Sequence, residues 1–193
     1  MFNPDKLKDV VGNHGGFAFS DKYLVEFLSM PSLRFEFQDL KLLSLTCENT
    51  SLPTRSIQAS EKLIYGTSYQ MPYKHAYGEI SMTFYLTEDL VLKSFFDAWL
   101  DKIIDPLTGD IGYYKDYTCD IKISKFKRSA TNENANPAYA VKLFSAWPSI
   151  VAEVAMTHAS TDIAKLPITF QYKKWLDFTT ATYPNTGPAG GGW

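Results

Sequence analysis

Glu79-Ile80-Ser81-Met82-Thr83-Phe84-Tyr85-Leu86 alternates strictly, and Thr87-Glu88-Asp89 follows at once with a different pattern behind it. Ile80, Met82, Phe84 and Leu86 fall on one side of an extended chain, Glu79, Ser81, Thr83 and Tyr85 on the other. That period of two belongs to a half-buried strand. Over residues 88–104 the period changes to that of a helix. Leu92, Phe95, Phe96, Trp99, Leu100 and Ile103 form one apolar stripe, with Thr87 as cap and Asp105-Pro106 as the stop. Glu88 and Asp89 stand where the helix dipole favours negative charge. A stripe this apolar has to cover the face of a sheet.

Working outward, further alternations supply that sheet. Residues 117–127 bring Tyr117, Cys119, Ile121 and Ile123 together, and residues 139–146 pair back after a hairpin tip at 128–137. Ser145-Ala146-Trp147-Pro148 ends that strand, with Pro148 as the stop and Trp147 as the corner anchor. Residues 166–175 form a closing strand with Ile168, Phe170 and Tyr172 inward. On the N-terminal side, residues 23–28 read as a strand with Tyr23, Val25 and Phe27 on one face. Residues 34–37 and 41–47 read as extended, although 35–45 has enough Leu, Asp and Gln to be helical instead. Asn3 and Pro4 open a short helix over 4–11, which Gly12-Asn13-His14-Gly15-Gly16 breaks. The expected class is mainly β (α+β): an antiparallel β-sandwich or small barrel with one flanking helix. The expected division is an N-terminal helix or arm over 1–16, a β domain over 17–177 and a flexible tail over 178–193.

At 193 residues the chain suits one domain and needs no disulfides to hold a core. A net charge of −2 lacks the dense basic footprint of a nucleic-acid binder. Cys47 and Cys119 stand in no metal or redox spacing and read as buried thiols in a reducing cytoplasm. The opening residues lack the apolar run of a signal peptide, and no stretch approaches the length of a membrane span.

Chemistry is not legible. His14, His75 and His158 are scattered without a second ligand at helical or hairpin spacing, so no metal is expected. Glu88-Asp89 reads as a helix start and Glu36/Asp39 as a solvated turn, rather than as an acid/base pair. The Gly12–Gly16 run lacks phosphate-cradle spacing, and no nucleophile elbow occurs. Lys122, Lys125, Lys127 and Arg128 divide between two strand faces, which suits a solvated strand end. No catalytic, cofactor-binding or metal-binding residue is assigned, and an enzyme is not expected.

Taken in order, four landmarks resemble the tail tube protein of contractile-tailed bacteriophages. Gly16-Phe17-Ala18-Phe19-Ser20-Asp21-Lys22-Tyr23 is similar to that family's opening Phe-Ala motif, and Thr50-Ser51-Leu52-Pro53 to its Leu-Pro turn. The strand at 79–86 followed by Thr87-Glu88-Asp89 and Phe95-Phe96-Asp97-Ala98-Trp99 resembles its strand, acidic turn and helix. Ala146-Trp147-Pro148-Ser149-Ile150 with residues 168–175 resembles its Trp-Pro hairpin. Residues 31–39, Ser20 in place of Pro and the longer tail depart from the family and bear on which tube component this is.

The resemblance implies a protomer whose sheet joins its neighbours edge to edge, giving a hexameric ring with a shared inner barrel. Rings then stack into a hollow conduit for DNA delivery in a virion tail, assembled in the host cytoplasm. Implied partners are tail sheath, baseplate and tail-terminator proteins, with tape-measure protein and DNA in the lumen and no sequence-specific binding. Tyr65, Tyr69, Met71, Tyr73 and Tyr77, at loop-like spacing, are the expected subunit interface. The alternatives are a tube-initiating baseplate or secretion-apparatus ring protein, and a small β-barrel that holds a ligand.

Overall fold

The alternation at 79–86 becomes β5 (Ile80–Tyr85), and its neighbours show why it alternates. The computed structural model describes residues 4–13, 16–30, 37–127, 136–159 and 162–179. Its elements, in order, are α1 (Pro4–Asn13), β1 (Tyr23–Phe27), α2 (Phe37–Leu45), β2 (Cys47–Thr50), β3 (Arg55–Ile64), β4 (Thr67–Tyr77), β5, α3 (Val91–Ile103), α4 (Tyr114–Tyr117), β6 (Cys119–Lys125), β7 (Tyr139–Val151), β8 (Lys165–Gln171) and β9 (Lys174–Asp177). One sheet runs β1-β6-β7-β8-β5-β2, with β9 also on β7, while β3 and β4 form a separate ribbon. Every strand pairing is antiparallel.

The large sheet doubles back because β7 changes partners along its length. Residues 139–146 pair with β6, and 141–144 of them also with β9, whereas residues 147–151 pair with β8 alone. Strands that switch sheets through a bend are how two packed layers share one chain. Here the bend sits at Ser145, whose φ is 52°. Asp120, the single β6 residue facing the bulge that Phe144 and Ser145 make in β7, holds that bend. Its Oδ1 accepts from Ser145 N at 3.1 Å, and Lys142 pairs with Oδ2 at 3.0 Å. Asp120→Ala removes both charge-assisted bonds. It is expected to cost about 2–3 kcal/mol, read as a lower urea midpoint at unchanged slope.

Pro148 therefore does not stop the strand. Beyond Ala146 one side of β7 is unpaired, so a missing N–H breaks no ladder there, and the strand continues to Val151. The expected closing strand is in turn divided, since β8 ends at Gln171 and β9 restarts at Lys174 to pair with the other half of β7.

α3 lays Leu92, Phe95, Phe96, Trp99 and Ile103 onto the inner face of the sheet. Phe96 meets Phe84 at 5.6 Å and Phe170 at 6.1 Å between ring centroids, and Trp99 meets Phe170 at 6.2 Å. Burying a side chain of this size contributes about 1.5–3 kcal/mol. The helix starts later than the sequence suggests. Glu88 and Asp89 lie in a turn, Leu90 at φ 50° occupies the cap position, and no side chain caps the helix. Burial of the stripe, rather than capping, sets its start.

Residues 37–45 resolve to the helical alternative, with Leu43 in the core. α1 runs past Val11 to Asn13. The extended expectation at 34–36, most of the hairpin tip at 128–137 and most of the tail from 178 lie outside the described residues. No closed barrel forms among the described residues. The end strands β1 and β2 are not paired with each other, and the Tyr23 hydroxyl donates to Cys47 O at 3.0 Å. Burial pushes the Tyr23 phenol up to about 12, so the donor stays protonated.

Candidate assembly surfaces

The five residues read as an interface lie in one β-ribbon, not in a loop. Tyr65 (φ 51°) and Gly66 (φ 79°) make its two-residue turn with both central residues left-handed, as a type I′ hairpin requires. β3 and β4 pair from Ile64↔Thr67 down to Arg55↔Tyr77, with Tyr73 as the extra residue of a bulge. Among described side chains nearly the whole ribbon is exposed on both faces. Tyr65 stands free at the tip, 102% exposed, and Tyr69, Met71 and Tyr73 follow along β4. Tyr73 OH donates to Gln58 at 3.1 Å.

Tyr77 lies at the other end, half-buried against Tyr172 at 6.2 Å. The root is tied further by Trp175 Nε1, which donates to Thr54 O at 3.2 Å, and by Arg55 over the Trp175 ring at 4.2 Å. The structure thus joins four of the five on a projecting arm and sets the fifth in its hinge. Two strands alone are marginal in water, and long bare edges with apolar side chains invite pairing.

A second surface is the outward side of the sheet half built from β2, β5, β8 and residues 147–151 of β7. The registers Ser81↔Thr169, Thr83↔Pro167 and Tyr85↔Lys165 place short hydroxyl and neutral side chains there. Lys165 is the one cation that β5 and β8 contribute to this face. A bulge makes Glu48 the extra residue of β2, and its carboxylate pairs with Lys165. The hydrogen bond from Lys165, and then that from Tyr85, holds the Glu48 carboxyl below its usual range. Both edges of this half, β2 and residues 147–151, have a strand neighbour on one side only among the described residues.

The other sequence candidates stay apart. His75 lies on the ribbon and His158 in an exposed segment, while His14 and Glu36 fall outside the described residues. No group of three or more His, Cys, Asp or Glu among the described residues is placed to hold a metal ion. Lys122 pairs with Glu26 at 2.7 Å and Lys125 donates to the Lys22 carbonyl at 3.3 Å, so these two cations are engaged within the fold. Cys119 is buried and Cys47 half-buried, both free thiols raised by burial. Phe84, Phe96, Trp99 and Phe170 are buried together in the core.

A chain of the cryo-EM sheath–tube complex of an extracellular contractile injection system (PVC, extended state) is similar in fold. Its TM-score is 0.58 at 15% identity, covering 83% of this chain and 90% of that one. A chain of the 6-fold symmetrised anti-feeding prophage baseplate gives 0.59 at 16%, covering 83% and 95%. One from the tube terminating cap of the same particle gives 0.59 at 14%, covering 85% and 92%. At such identities the likeness is one of fold. No curated protein matches the sequence. The family model described as phage tail tube protein matches residues 18–177, a span that takes in both surfaces, and the chain belongs to that family of structural tube subunits.

Proposed function

We propose that this protein is the repeating subunit of a phage tail tube, closing into hexameric rings that stack into a hollow conduit for DNA. The observation that carries this reading is the sheet half with two unpaired edges. β2 of one copy set beside residues 147–151 of the next makes a continuous wall from copy to copy. Such a head-to-tail contact closes into a ring when its rotation allows. The wall's outward face, hydroxyl-rich with its lysine paired, then lines the bore. On this reading residues 17–177 are the tube domain, 1–16 an arm and 178–193 a tail. Tyr65, Tyr69, Met71, Tyr73 and Tyr77 belong to the subunit interface. Sheath, baseplate and terminator proteins are its partners outside and at the ends, in a virion tail assembled in host cytoplasm, and tape-measure protein and DNA pass within. No catalytic step is assigned to it.

Negative-stain microscopy of the purified protein tests the proposal. Hollow rods or six-fold rings are expected, and a strict monomer at high concentration sinks it. Lys74→Glu on the ribbon is expected to leave folded monomers that no longer polymerise.

A conduit must not grip its cargo, and phosphate binding grows with each available cation. Glu48→Gln frees Lys165 once per subunit around the bore. Tubes of this variant are expected to retain duplex DNA more than wild type at low salt, the difference vanishing at high salt. Lys165→Gln in the same chain reverses the effect. Equal retention by wild type and Glu48→Gln places this face away from the bore.

A further inference from the structure

We propose that the connection between α3 and β6, residues 104–114, is the surface on which the ribbon of a neighbouring copy docks, so that each subunit gives one ribbon and receives another. This rests on the tube reading above and names the other half of its lateral contact.

The connection is rigidly built. Ile104 bridges to Ile111, and Asp105 Oδ1 accepts from Leu107 N at 2.8 Å and Thr108 N at 3.3 Å. Gly109 turns the chain at φ 75°, and a Cβ on Gly112 would stand 2.6 Å from the Lys102 carbonyl. Trp99 Nε1 donates to Tyr117 O at 2.7 Å, fixing the far end to α3. Yet this ordered segment points Leu107 (94% exposed), Tyr113 (83%) and Ile111 at water. Beside it a cleft of about 370 Å³ opens between Leu100, Ile103, Pro106, Trp147 and Pro148. Ordered apolar patches of this sort mark contact sites.

Charge and position select the occupant. The connection and its flanks carry Asp101, Asp105, Asp110 and Asp116 against Lys102 and Lys115, an acidic excess. The ribbon carries Arg55, Lys62 and Lys74 against Glu61, a basic excess, and its exposed large apolar side chains are Tyr, Met, Leu and Ile. Opposite potentials around apolar anchors are how protein surfaces set register. The two patches also share a level in the fold. The ribbon is rooted on Tyr172, and Trp147 and Pro148 of the cleft pair with Gln171 and Phe170. Because the patches differ, the contact is heterologous and propagates.

The test uses two variants of the full chain, each altered only at exposed side chains: Tyr65→Ser with Tyr73→Ser on the ribbon, and Leu107→Ser with Tyr113→Ser on the connection. Each is expected to melt like wild type. Each should lower the assembled fraction roughly ten- to a hundredfold, the scale of losing interface anchors. Mixed at high concentration in an analytical ultracentrifuge, the two should form a dimer that grows no further. One intact ribbon then meets one intact connection, and the outward strand edges are left without a working ribbon–connection pair. Rings from the connection variant equal to those of wild type, or a mixture that stays monomeric while wild type assembles, overturn the docking assignment and leave the tube reading standing. A wild type that never assembles overturns both.

Discussion

Phe84→Asp is expected to leave no folded protein. Phe84 is fully buried in β5, paired with Cys47 on one side and Leu166 on the other, and its ring packs on Phe96. Removing the ring costs about 3–5 kcal/mol. Placing an unpaired carboxylate in the same space adds several more, since the described surroundings are apolar. The sum approaches or exceeds the roughly 5–15 kcal/mol that holds a whole domain. Circular dichroism should show no cooperative melt, and most of the protein should be insoluble. Ile80→Asp, two repeats earlier on the same face, should do the same. Ser81→Asp, between them on the exposed face, should melt within a few degrees of wild type. If Phe84→Asp and Ser81→Asp behave alike, the face assignment of the sheet is wrong.

Trp99→Ala carries the second largest effect, and it reaches from stability to assembly. Trp99 is fully buried, stacked on Phe96 at 6.1 Å and against Phe95 and Phe170. Its indole N–H also fixes Tyr117 O, at the end of the α3–β6 connection. Truncation should cost about 3–5 kcal/mol. For a chain of this size that lowers the melting temperature by roughly 10 °C. Trp99→Phe keeps most of the apolar contact and loses the hydrogen bond, for about 1–2 kcal/mol. It should fold normally yet assemble more weakly than wild type, because the connection is released at one end. Unchanged melting for Trp99→Ala rules out its role as the keystone of helix-on-sheet packing.

Legibility followed burial. β5, β6, β8 and α3 were readable because each has one face in the core, and one-sided burial writes its period into the chain. β3 carries no strand period and β4 has the spacing of a loop, because the ribbon faces water on both sides. Nothing there forces apolar and polar residues to alternate. A local signal is present in Tyr65-Gly66, a two-residue turn with glycine second between a run ending in Leu63-Ile64 and one carrying Thr67, Tyr69, Tyr73 and Tyr77. Residues 35–45 stayed divided between strand and helix, because a short Leu-rich run suits either until a neighbour buries Leu43.

The order of amino acids by itself determined the helix on the sheet, the inward residues of the core strands and the landmarks of a tail tube family. Each is carried by local period or by short motifs at fixed spacing. Only the tertiary structure decided that Pro148 lies inside β7 rather than at its end. A proline is tolerated there because β9 leaves β7 at Phe144 and β6 at Ala146, both before it, and no local rule reports which neighbours a strand will have. In the same way the ribbon, the rigid apolar connection and the Glu48–Lys165 pair come from distant segments brought together. Their meaning rests on what faces them in space, which spacing along the chain does not encode.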